Sequence, residues 1–107
     1  MVHANIDPKI ISIARAFKQA LLKQEYSLDQ VILFGSHVAG SSKDTSDIDI
    51  CVVSPDMTGL SIDDFPKLRK ISEPISLDIE PHGLTPKQYA SLENPFAHEI
   101  KRTGYVI

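Results

Sequence analysis

Two segments constrain this chain more than anything else in it. Val31-Ile32-Leu33-Phe34 is a short apolar, β-prone run that ends at Gly35-Ser36, and ten residues later Asp47-Ile48-Asp49-Ile50 alternates strictly between acid and hydrophobe. The first reads as a buried strand stopped at a turn. The second reads as a strand divided by parity, with Ile48, Ile50 and Val52 on one face and Asp47 and Asp49 on the other. The small polar residues from Gly40 to Ser46 are a loop between them.

The remaining elements follow from punctuation and period. Asp7-Pro8 is a helix start, with Asp as N-cap and Pro at the first helical position. Ile10, Ile13, Ala14, Phe17 and Leu21 then recur at helical spacing, which predicts an amphipathic helix over 8–24. A second helix is expected from Asp63 to Ser72, with Pro66 in its first turn. Ile75, Leu77 and Ile79 alternate with Ser76, Asp78 and Glu80, a third strand expected to end at Pro81 and Gly83. Short helices open at Pro86 and Pro95, running to Leu92 and Lys101, and Tyr105-Val106-Ile107 is a candidate edge strand. The fold class this order predicts is α/β (α+β): a small mixed β-sheet flanked by helices, in a single domain over residues 1–107.

Charge and composition remove several functions. Eleven Lys and Arg against 14 Asp and Glu leave a net charge of −3, which disfavours strong nucleic-acid binding. No apolar run approaches a membrane span, and Met1 to Asn5 carries no secretory pattern, so the expected location is cytoplasmic. Cys51 is the sole cysteine and allows neither an internal disulfide nor a thiolate zinc cluster.

Asp47, Asp49 and Asp78 each fall on an expected strand. Two carboxylates at i and i+2 lie roughly 6–7 Å apart on one face. If the strand bearing Asp78 is a neighbour, three carboxylates converge, an arrangement that needs a compensating cation. Oxygen-only ligands suit Mg²⁺ or Mn²⁺. Glu80 lies on the same face as Asp78 and is the alternative third carboxylate, less favoured because it abuts Pro81. The strand, Gly35-Ser36 and a short helical turn after it form a seat for phosphate oxygens. A phosphate seat beside a metal-binding carboxylate cluster points to phosphoryl or nucleotidyl transfer.

Gly35-Ser36, the ten-residue interval, Asp47-Ile48-Asp49 and the later Asp78 together resemble the DNA polymerase beta-like nucleotidyltransferase superfamily. The likeness is closest to its minimal nucleotidyltransferases, small prokaryotic proteins often encoded beside a helical HEPN partner. The resemblance implies that superfamily's palm fold, with Gly35 and Ser36 at the β- and γ-phosphates of a nucleoside triphosphate. It implies that Asp47 and Asp49 bind two Mg²⁺ (or Mn²⁺) ions, and that Asp78 completes the site of the ion that activates an acceptor hydroxyl. Family members commonly read Gly-Ser-Arg-Ala-Arg-Gly, whereas this chain has Gly35-Ser36-His37-Val38-Ala39-Gly40. Both arginines are absent, and Lys43 is the nearby cation. The helical domain that shapes the acceptor pocket in larger members does not fit in this length, so the acceptor site is open or comes from another subunit.

Plainer roles compete at several positions. Ser36 could simply cap the following helix, His37 be polar surface, Cys51 a small core residue, and Lys67, Arg69 and Lys70 a solvated helix face. The expected function is metal-dependent transfer of an NMP, AMP from ATP being favoured, to a hydroxyl on a protein or small molecule. By family analogy the attractive acceptor is a tyrosine of a HEPN-type helical protein, which would make this chain an antitoxin; the other expected assembly is a homo-oligomer. The alternative is a catalytically weak or inactive nucleotide-binding module that acts by covering its partner. An aminoglycoside- or lincosamide-type transferase is disfavoured because the acceptor domain is missing.

Overall fold

Asp7 caps the first helix as its sequence predicts, its carboxylate accepting the Lys9 N–H at 2.9 Å with Pro8 at the first helical position. The computed structural model describes residues 6–42 and 46–107. Within them run α1 (Pro8–Lys23), β1 (Gln30–Phe34), α2 (Ser36–Ala39), β2 (Ile48–Val53), α3 (Ser61–Ser72), β3 (Ile79–Leu84), α4 (Pro86–Ala90), α5 (Pro95–Thr103) and β4 (Tyr105–Val106). The strands form one mixed sheet in the order β3-β2-β1-β4. β1 is antiparallel to both β2 and β4, while β2 and β3 are parallel, joined across α3.

Strand parity sorts the sheet into two faces. Val31, Leu33, Ile48, Ile50, Val52 and Ile79 pack with Ala14, Phe17 and Leu21 of α1 and Leu68 of α3. On the opposite face Ile32, Cys51, Val53 and Leu84 pack with Ala97 and Ile100 of α5. Asp49, Glu80 and His82 share the parity of that second face but are only half-buried. The acidic positions thus stand where α5 leaves the sheet uncovered.

Two expectations need correction. The third strand does not end at Pro81 and Gly83; both lie inside it. Ile48 N–H donates to Asp78 C=O at 2.8 Å and Ser54 N–H to Leu84 C=O at 3.0 Å, so the even-numbered residues of β3 turn their peptide groups toward β2. Pro81 falls on the outward phase of an edge strand, where no ladder N–H is required. Likewise α3 begins at Ser61, which puts Pro66 in its second turn. Asp64 on the first turn is buried and accepts from Thr58 N–H and Oγ1 and from Gly59 N–H at 2.9–3.0 Å, fixing the loop that leads into the helix.

Arg69 is also more than a solvated charge. Its guanidinium donates to Ile79 C=O at 2.9 Å, a carbonyl on the outward phase of the β3 edge. Glu73 lies 3.4 Å from the same guanidinium. The bond pins α3 to the start of the strand that carries Glu80.

Candidate metal and phosphate site

Phe34, the last residue of β1, pairs with Asp49 of β2. The chain therefore bends at Gly35 directly above the Asp49 carboxylate. Gly35 has φ 84° and ψ −155°, a conformation open essentially to glycine alone. A methyl group there would run into Asp49 Oδ2 and come within 3.1 Å of Asp49 Cγ. Glycine is required twice over, by its backbone and by its neighbour.

α2 follows at once, with Gly35 in the cap position, so Ser36 is the first helical residue rather than the cap. Gly35 C=O accepts from Val38 N–H and Ala39 N–H at 3.1 and 3.0 Å. The N–H groups that open the helix have no intrahelical acceptor and carry its positive end. His37 Nε2 lies 3.3 Å from Ser46 C=O. Lys43 lies outside the described residues.

The parallel pairing sets Asp49 beside Glu80, one strand over and in register. His82, two residues further along β3, brings Nε2 to 3.4 Å from Asp49 Oδ1. One ligand atom from each of Asp49, Glu80 and His82 lies within 4.8 Å of the others. Phe34 and Phe96 wall the imidazole, with ring centroids 5.2 and 5.5 Å from it. This donor set fits a divalent cation: two carboxylates and an imidazole on two hydrogen-bonded strands, none fully buried.

Asp47 and Asp78 stand one step back along the ladder, each immediately before its strand and both exposed. Asp78 is in the turn ahead of β3, not within the strand as its alternation suggested, and its N–H is bound by Ser76 Oγ at 3.1 Å. Neither belongs to the close Asp49–Glu80–His82 group. Asp47 does share a cavity of about 400 Å³ with Glu80, Arg69, Phe65, Leu77 and Ile79. That cavity puts the Arg69 guanidinium among the acidic residues. The sequence offers Glu80 as an alternative ligand but not His82, because a break at Pro81 cuts the expected strand short of it.

Cys51 sits on the same face as Asp49 but fully buried, and burial pushes its thiol up to about 12. It is a neutral core group, unsuited to ligation or nucleophilic attack at neutral pH. Burial, and next Cys51, also raise the phenol of Tyr89. No helix among the described residues is long and apolar enough to cross a membrane.

Comparison with known proteins agrees with this fold. A crystal structure from Sulfolobus solfataricus, named as a candidate nucleotidyltransferase, superposes with a TM-score of 0.53 over 96% of this chain and 89% of its own. At 17% identity that likeness establishes the shared mixed-sheet fold. No curated protein matches. The nucleotidyltransferase domain family matches residues 14–103, a span that takes in Gly35, the Asp47-Ile48-Asp49 strand and β3. In keeping with the resemblance to minimal nucleotidyltransferases, this chain belongs to the nucleotidyltransferase domain family.

Proposed function

We propose that this chain, acting as a single cytoplasmic domain, transfers an NMP from a nucleoside triphosphate, AMP from ATP in the favoured case, to a hydroxyl on a protein or small molecule. The observation that carries the reading is the contact between the Gly35 bend and the Asp49 carboxylate in a chain of this family. A phosphate seat and a cation seat are thereby the same place. Gly35 and the first N–H groups of α2, with the Ser36 hydroxyl, hold the β- and γ-phosphates. Asp47, Asp49 and Asp78 are the proposed ligands of two Mg²⁺ or Mn²⁺ ions, with Glu80 beside Asp49 as a further carboxylate. Bound divalent cations neutralise the charge that develops on the attacking and leaving oxygens.

The bond that forms joins the acceptor oxygen to the α-phosphorus, and the bond that breaks releases pyrophosphate. The Asp78 carboxylate accepts the hydroxyl proton. Its exposure leaves the acceptor side open, which suits a substrate as large as a protein, and a tyrosine of a HEPN-type helical partner is the acceptor we favour. A second reading, a module that binds its partner without transfer, draws on His37 and Ala39 standing where the family commonly has arginines, with His37 engaged by Ser46.

Intact-mass measurement separates the two. The purified chain is incubated with Mg²⁺, each NTP in turn and the product of the neighbouring reading frame. Transfer adds one NMP unit to a protein, and Asp49→Asn abolishes the gain. A tight complex with no mass gain under any NTP contradicts transfer and favours the binding module.

A further inference from the structure

The geometry points to a mixed carboxylate–imidazole site, made by Asp49, Glu80 and His82, that prefers a divalent first-row transition ion such as Zn²⁺ to Mg²⁺. This departs from an all-carboxylate site by one residue, His82. The inference rests on Asp49 being a cation ligand in the proposed transfer site, and it adds a nitrogen donor and a selectivity to that position.

Three observations support it. The Nε2 to Asp49 Oδ1 separation is 3.4 Å, long for a hydrogen bond between a ring N–H and a carboxylate. It is close to the spacing of two ligand atoms on one tetrahedral ion, which metal–ligand bonds of roughly 2.1 Å place about 3.4 Å apart. Glu80, in register with Asp49, supplies a third atom within the same 4.8 Å group. Three protein ligands and one open position form the usual arrangement around a reactive Zn²⁺.

The imidazole is also held in place. Phe34 and Phe96 flank it and meet each other edge to face at 5.5 Å, so the ring approaches the ion with little rotamer freedom left to lose. Nitrogen donors raise affinity along the series from Mn²⁺ toward Zn²⁺, whereas Mg²⁺ gains little from imidazole and favours six oxygens.

The test uses the full chain stripped of metal, titrated calorimetrically with Zn²⁺ and with Mg²⁺ and followed by ¹⁵N NMR of the histidine rings. We expect Zn²⁺ to bind more tightly than Mg²⁺ and to shift the His82 Nε2 resonance. His82→Asn should weaken Zn²⁺ at least about tenfold, the lower end of the losses seen when a metal site loses even an outer partner. His82→Asp, which restores an oxygen, should move selectivity back toward Mg²⁺. A wild-type Nε2 resonance unmoved at saturating Zn²⁺, or Zn²⁺ binding that survives His82→Asn but is lost in Asp49→Asn, overturns the inference and leaves the transfer reading standing. Zn²⁺ bound at His82 in a protein that transfers nothing with any ion upholds this inference and removes the other.

Discussion

Replacing Gly35 with alanine separates backbone strain from the close approach to Asp49. At φ 84° and ψ −155° an alanine costs about 1–3 kcal/mol of strain. The new methyl also collides with Asp49 Oδ2 and meets Cγ at 3.1 Å, forcing the carboxylate off its rotamer for about 0.5–1.5 kcal/mol more. Reduced freedom of the unfolded chain returns roughly 0.4–1 kcal/mol. The net loss expected is therefore about 0.5–4 kcal/mol, read from urea-denaturation midpoints at unchanged slope. In an Asp49→Ala background Oδ2 and Cγ are gone, although the Cβ at 3.3 Å remains. The cost of Gly35→Ala should then shrink by about 0.5–1.5 kcal/mol, a coupling a double-mutant cycle resolves. Two results would refute the reasoning: a Gly35→Ala cost below about 0.5 kcal/mol, the range of an ordinary surface change, or the same cost in both backgrounds.

Other expectations test the supports of the site. Asp64 is buried, and Asp64→Asn leaves the Thr58 and Gly59 N–H groups it ties down short of an acceptor, because an amide nitrogen cannot accept from an N–H. A loss of about 1–3 kcal/mol in chemical denaturation is expected, and a neutral result would contradict the account of that loop. Cys51 titrates near 12 in the folded chain against an ordinary 9.0, so the folded state keeps a proton that the unfolded chain gives up. Its contribution is complete below pH 9 and is lost as pH rises toward 12, at up to about 1.4 kcal/mol per unit. Cys51→Ala should flatten that slope, leaving the part that burial gives through Tyr89, whose phenol is raised in the same direction by burial first and by Cys51 next. Equal slopes in the two proteins between pH 9 and 11 would count against the burial argument.

The parts of the fold written in local chemistry were legible in the sequence. Asp7-Pro8, the parity of Ile48 and Asp49, and the stop at Gly35 each specify a backbone state through a cap, an alternation or an absent Cβ. The third strand was misread because Pro81 and Gly83 are strand breakers in general and tolerated here only because β3 is an edge. Edge position is a tertiary fact. The same error hid His82, whose parity with Glu80 matters only if the strand continues past Pro81. Glu80 was recognised but discounted, since the register that sets it opposite Asp49 depends on the parallel pairing across α3. Arg69 reads in the sequence as part of a solvated helix face for a similar reason: nothing local says that a helix-face cation will meet the outward carbonyl of Ile79.

The proposed transfer requires that one place hold both the triphosphate and its cation. Amide spectra of the full chain titrated with Mn²⁺–ATP test this directly, because the paramagnetic ion broadens only what is near it. Gly35, Ser36, Asp49 and Glu80 should fade together at the lowest additions, ahead of any residue of α1. Early broadening confined to the cavity lined by Ala20 and Gln24 of α1 and Lys67 and Ile71 of α3, with Gly35 and Asp49 sharp throughout, would contradict this.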